Sequence, residues 1–299
     1  MAYVTGSANS LADLLSAVQS ACTANGWTLS GEVLHRGSSY FRLWQQTTEF
    51  WIQGGTGIDG SNNLTGASPK AARMSTVGNA ITFPLTYDIH IYDSPDEVYV
   101  VINYSTDWYQ WVMFGRSDVP GLPGTGNWFA ATRWQDSGSD NRIYCSPSGG
   151  STNGTLRGCP AFWAQSISVN DNGINSHVHH NVDGRGWGVT TTATDFCRSF
   201  GAIDTLLGKL PNAFNNEMVL IPFQVWVPRT SGGTFSLVAD MKNLRHCRND
   251  FHLPREIISI ASDRWMIYPW LRRDTTDRNG PGMGTHSGTT AFAVRYTGP

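Results

Sequence analysis

The chain reads as a mainly-β protein of the α+β class, with antiparallel sheets in a β-sandwich-like core, one N-terminal helix and long Gly-rich loops. Three observations predict this. Apolar and polar residues alternate at period two in the segments after Gly26. Gly-rich connections at 54–66, 117–127, 136–158 and 272–288 are spread evenly between those segments. The strongest helical stripe lies near the N-terminus, at Leu11, Leu14, Leu15, Val18 and Cys22. No connection stands out as a linker and no repeat recurs at a fixed period, so 1–299 is expected to be one structural domain.

In chain order, the helix comes first, over about 10–25. Ser10 offers the N-cap, Asp13 follows three residues later, and Asn25-Gly26 supplies a left-handed stop. Its other side (Ala12, Ser16, Gln19, Ser20, Thr23) is small and neutral, which tolerates either solvent or a close neighbour. Tyr87, Ile89 and Ile91 alternate with Thr86, Asp88 and His90 in a first clear strand, and Ser94-Pro95-Asp96 turns the chain. Val98, Val100, Ile102 and Tyr104 form the next strand. Trp108 to Phe114 forms a third, with aromatics on both sides, so a second sheet, a helix or a neighbouring subunit must cover each side. Val219–Val227 and Phe235–Met241 read as a hairpin, and a short helix is expected near 202–210. Trp265–Leu271 and Thr290–Tyr296 close the fold. Pro222, Pro228 and Pro269 place their strands at edges, ends or bulges.

Composition narrows the function classes. A net charge of −2 and a pI near 6.4 give no long-range pull on nucleic acid or anionic lipid. The longest strongly apolar stretch, 218–227, is too short to span a bilayer, and the first 26 residues lack the pattern of a targeting segment. Five widely spaced cysteines without a CxxC pair suit reduced, buried thiols, although a Cys145–Cys159 bridge is compatible with the spacing. Eighteen Arg stand against three Lys, and eighteen Asp against five Glu, beside twelve Trp. Arg and Trp are enriched where proteins meet, so this skew fits a surface covered by partners; GC-rich coding produces the same skew.

Candidate chemistry is sparse. His177 and His179 would share one face of a strand, a weak candidate pair for a metal, but ligands to complete a site are not at hand nearby. No P-loop, HExxH or GxSxG stands in a suitable context, and the nearness of Asp250 to His252 carries no weight in so Ser-rich a chain. No catalytic residue and no cofactor is expected. Trp128 and Trp187, in Gly-rich polar surroundings, suit either sugar stacking or protein contact, with core packing as the plain alternative. The polar segment 272–288 suggests an arm gripping a neighbour through Arg272, Arg273, Asp274 and Arg278, or a loop folded on its own domain.

Three stretches carry a resemblance: 26–37 (GWTLSGEVLHRG), 263–273 (DRWMIYPWLRR) and 286–296 (HSGTTAFAVRY). Together they resemble the virion structural proteins encoded in the head–tail gene cluster of tailed bacteriophages. The resemblance implies a non-enzymatic virion component assembled in the bacterial cytoplasm, repeated in the tail, the neck or collar, or the baseplate. Its partners would be copies of itself and other virion proteins, without nucleic-acid binding or membrane insertion. A tail protein binding a host-surface glycan is the alternative, and an envelope-degrading enzyme the third reading.

Overall fold

The structure of the chain, a computed structural model, describes residues 1–75, 81–134, 176–188, 209–210, 217–229, 233–278 and 286–299. Strand β1 (Ala2–Ala8) leads into α1 (Leu11–Ala24), followed by β2 (Thr28–Ser30), β3 (Val33–Arg36), β4 (Ser39–Gln46) and β5 (Glu49–Gly55). The small hairpin β6 (Gly57–Ile58) and β7 (Leu64–Thr65) interrupts before β8 (Ala72–Ser75). Next come β9 (Leu85–Asp93), β10 (Asp96–Ser105), β11 (Trp108–Arg116), β12 (Asn127–Ala131), β13 (Arg133–Trp134), β14 (Ser176–His179) and β15 (Trp187–Gly188). The last group is β16 (Ile221–Pro228), β17 (Phe235–Arg248), β18 (Ile257–Ile260), β19 (Asp263–Pro269) and β20 (Thr290–Arg295).

The strands form a seven-stranded sheet (β1-β9-β10-β11-β12-β14-β15), a six-stranded sheet (β13-β8-β5-β4-β3-β2), a five-stranded sheet (β16-β17-β20-β19-β18) and the β6-β7 pair. The seven-stranded sheet is the middle layer. Ile89, Ile91, Val98, Val100, Val112 and Phe114 on one face meet Phe41, Leu43, Phe50 and Ile52 of the six-stranded sheet, and Leu14, Val18 and Cys22 of α1. Tyr92, Tyr99, Val101, Trp111 and Met113 on the other face meet Phe223, Val225, Met241, Tyr268 and Phe292 of the five-stranded sheet. The aromatics on both sides of Trp108–Phe114 thus have their covers within the same chain. Burying both faces of a strand at period two requires apolar residues at consecutive positions, which is what β10 and β11 supply.

Helix α1 follows its expected bounds. The Ser10 side chain accepts from the Asp13 N–H (3.0 Å), Asp13 accepts from the Asn9 N–H (3.1 Å), and Asn25 caps the far end through the Ala21 carbonyl (2.8 Å). Pro222 and Pro228 do lie on an edge strand, and Pro269 ends β19. The segment 54–66, expected as a connection, holds β6 and β7, and β17 runs seven residues past Met241 to Arg248. Most of the expected helix near 202–210, the Cys145–Cys159 pair and the connection 136–158 lie outside the described residues. Cys22 and Cys247 are free and buried. Among the described residues no helix is long and apolar enough to cross a membrane.

The long β17 needs a special brace. Met241 pairs with Phe223 and Arg245 with Pro222, so three residues of β17, 242–244, have no opposite number on β16. A bulge of this kind frees backbone groups from the ladder, and buried ones must find other partners. Glu97, wholly buried on β10, takes them: its carboxylate accepts from the N–H groups of Lys242 (2.8 Å) and Asn243 (3.0 Å) and from the Asn243 amide (2.7 Å). Tyr99 donates a fourth bond (2.9 Å). Arg245, lying over the Trp265 ring, returns to the carbonyls of Lys242 (2.9 Å) and Leu244 (2.7 Å). Burial pushes the Glu97 carboxyl up to about 7 against the four hydrogen bonds that pull it down. Replacing Glu97 with Ala strands several buried donors and is expected to cost about 3 kcal/mol or more, measured by urea unfolding. A loss below about 1 kcal/mol would mean that the bulge is braced by other groups.

Candidate functional site

The edge of the middle sheet formed by β12, β14 and β15 gathers four of the residues singled out from sequence. Trp128 was expected in a Gly-rich loop, and the structure corrects that. The loop ends at Gly126, with φ of 76°, and Asn127 already starts β12. Trp128 then stands opposite Gly115 and Val178 and points into the core, wholly buried against Tyr99. It offers no ring to a sugar or a partner. Gly115 is small of necessity: a Cβ there would come within 2.3 Å of the Asp96 carbonyl oxygen.

Trp187 keeps part of its surface in solvent but acts as a clasp. Its Nε1–H donates to the Gly66 carbonyl (2.9 Å), and its ring meets Phe129 edge-on and tilts against His179. His177 and His179 share a face of β14, as alternation requires, yet they take up different tasks. His177 is wholly buried and stacks on Phe129 at 4.7 Å, 4° from parallel; burial drives its pKa down to about 3. The Nδ1 of His179 accepts from the Thr125 N–H (3.0 Å), which anchors the loop that ends at Gly126. Among the described residues no group of three or more His, Cys, Asp or Glu is placed to hold a metal.

The start of the 272–288 segment folds on its own domain. Arg272 bridges to Trp108 in the backbone and lays its guanidinium over that ring, 5.5 Å from the centroid. Arg273 donates to the carbonyls of Asn249 (2.7 Å) and Asp250 (2.6 Å). Arg278 bonds the Asp250 carboxylate (2.5 Å), which also holds the buried Arg248 (3.0 Å). Asp274 accepts from Thr276 and closes a turn. The guanidiniums of Arg273 and Arg278, foreseen as grips on a neighbour, hold their own chain. His252 pairs with Glu256 (2.9 Å) and not with Asp250, so those two form no catalytic couple.

A second polar cluster escapes sequence reading. Asp88, on the face of β9 turned toward the five-stranded sheet, is nearly buried. It accepts from Tyr3 (2.6 Å), Tyr268 (3.1 Å) and Arg255 (2.9 Å), and Tyr268 also bonds His90 (2.9 Å). Burial alone would lower the Arg255 pKa, but the Asp88 carboxylate and the Tyr3 hydroxyl hold it above its ordinary value. Burial lowers the His90 pKa to about 4 and that of His246, stacked on Phe223, to about 3. The cluster ties β1, β9 and β19 together. Its only early signal was an acid and a histidine on the polar side of a strand whose two sides both prove to be covered.

Two open depressions lie elsewhere. One, of about 440 Å³, is lined by Pro120, Leu122, Val182, Asp183 and Arg229, with Arg229 and Asp183 paired across it at 2.7 Å. The other, of about 380 Å³, lies between Glu32, Arg42 and Gln53 and the polar 61–63 turn. Comparison with known families finds no family model that matches the chain, and comparison with curated proteins finds no match either.

Two outcomes follow from these clusters. Replacing Asp88 with Asn leaves Arg255 without a counter-charge, and a loss of about 2 kcal/mol is expected in chemical unfolding, discounted for the part-exposed guanidinium. Equal stability would mean that Arg255 finds water instead. His90, His177 and His246 titrate lower folded than unfolded, so the unfolded chain takes up protons first. Their stabilisation is complete above about pH 6.5 and is lost as pH falls toward about 4 for His90 and about 3 for His177 and His246. The raised Glu97 carboxyl works in the opposite sense, its contribution falling as pH rises from about 4.5 to about 7. Stability should therefore rise with pH across about 4.5 to 6.5, and more steeply in Glu97→Gln. Unfolding midpoints recorded at several pH values would show an unchanged slope if Glu97 stays ionised throughout.

Proposed function

We propose that this chain is a non-enzymatic structural subunit of a tailed-phage virion, repeated in the tail, the neck or collar, or the baseplate. The observation that carries this reading is how the chain uses its reactive side chains. Glu97 braces a bulge, Asp88 and Arg255 clasp two sheets, His177 packs flat on Phe129, and Arg273 and Arg278 hold backbone carbonyls or Asp250. Groups that could do chemistry serve as internal struts, which suits a body that transmits force. The three stretches that resemble head–tail cluster proteins agree with this: they supply β2, β3, β19 and β20 and the start of the 272–278 segment, which are framework. The glycan-binding reading loses one of its two candidate residues with the burial of Trp128.

Such a subunit would be assembled in the bacterial cytoplasm and meet copies of itself and other virion proteins. Mass spectrometry of purified phage particles made with the gene intact and with it disrupted tests this. The expected result is several copies of the chain per particle, and incomplete particles without it. Complete, infectious particles that lack the chain would overturn the reading.

A further inference from the structure

The two edges of the five-stranded sheet are finished differently. β16 carries Pro222 and Pro228, which lack the N–H that a neighbouring strand would bond. β18 is Ile-Ile-Ser-Ile, with neither proline nor charge, the features by which edges are normally guarded. Ile257 and Ile260 are 41% and 40% exposed, and Phe251 and Leu253, just ahead in the chain, are 57% and 65% exposed. Four of the nine large exposed apolar residues among those described thus fall within ten positions.

Backbone bonds show which groups of β18 point outward. Ile267 donates its N–H to the Glu256 carbonyl (3.0 Å) and accepts from the Arg255 N–H (2.7 Å), so it faces the β18 side. The Arg264 carbonyl instead accepts from Tyr296, on the β20 side (2.7 Å). By alternation Trp265 turns its N–H and C=O to its partner Ile258, while Met266, opposite Ile257, turns away. Ile258 and Ile260 are therefore bonded to β19, and Ile257 and Ser259 aim their N–H and C=O groups away from the sheet.

We propose that β18 pairs with β18 of a second copy of this chain, antiparallel, about a two-fold axis through Ser259. In this register the two Ser259 residues exchange N–H···O=C bonds. Ile258 of each copy stands opposite Ile260 of the other, and Ile257 lies beside Ala261, the first residue of the β18–β19 turn. Moving the axis to Ile258 would set Glu256 against Ile260, a charge against an apolar side chain. The pairing joins two five-stranded sheets edge to edge, a self-complementary contact of the kind that makes dimers. A four-residue edge falls short of the roughly 1,200 Å² of a stable interface, so the pairing also calls on apolar area from the exposed Phe251 and Leu253, just ahead in the chain. This pairing follows from the edge itself and is independent of the virion reading.

Sedimentation of the full chain over a range of concentrations should show a monomer–dimer equilibrium. Ile257→Lys combined with Ile260→Lys should shift it to monomer with an unchanged circular-dichroism spectrum. Ser259→Cys should give a covalent dimer under mild oxidation, because hydrogen-bonded opposite residues lie about 5.5 Å apart, within disulfide reach. Ser262→Cys, off the axis, and the wild type should not. A wild type that stays monomeric throughout overturns the pairing, as does a dimer in which Ser259→Cys fails to cross-link. Should the double lysine variant misfold, the cysteine arm decides alone. A monomeric chain found in purified particles would overturn the pairing while leaving the virion reading intact.

Discussion

Everything in this structure follows from a sheet that meets water on neither broad face. The middle layer has the six-stranded sheet and α1 on one side and the five-stranded sheet on the other. Residues of its inner strands are therefore favoured when they are apolar, aromatic or hydrogen-bonded, because a bare polar group there costs several kcal/mol, roughly 2–7 by transfer measurements. The strands obey in two ways. Most positions carry Val, Ile, Phe, Tyr or Trp, and the exceptions, such as Asp88, His90 and Glu97, bond to groups of the next layer. Aromatic residues with a polar tip suit such a site, since they fill volume and also donate a bond, as Tyr3, Tyr99 and Tyr268 do.

The same constraint separates what was legible in the sequence from what was not. Helix α1 could be read because its cap, stripe and stop are local and agree. The strands β9, β10 and β11 showed through their alternation, and the aromatics on both sides of β11 announced two covers, though not which elements supply them. Trp128 misled because one glycine decides its setting: the turn closes at Gly126, and two residues later the side chain is in the core. Strands β1 to β5 lie where apolar and small residues are mixed, so their pattern is weaker than their pairing. The Asp88–Arg255 and Glu97–Asn243 ties join residues 167 and 146 positions apart, and no spacing rule reaches that far.

Composition alone was ambiguous, and the structure divides it. A good part of the arginine serves internal geometry, on carbonyls and aromatic rings, where the planar guanidinium does what an ammonium could not. Among the described residues nine large apolar side chains are exposed, four of them between Phe251 and Ile260. The interior sheets are braced by buried polar ties, and the β18 edge of the five-stranded sheet carries neither proline nor charge.

The Asp88–Arg255 clasp also bears on how the chain is made. During synthesis five strands of the middle sheet, β1 and β9 to β12, can pair once β12 has emerged, but the sheet's second cover arrives only with the last third of the chain. Until then a broad face of nascent sheet waits for its lid, and contacts so distant in sequence close slowly. Asp88, His90 and Glu97 all lie on that waiting face. They break up what would otherwise be a sticky apolar plane beside the ribosome, and later become the pegs onto which the final sheet is fitted.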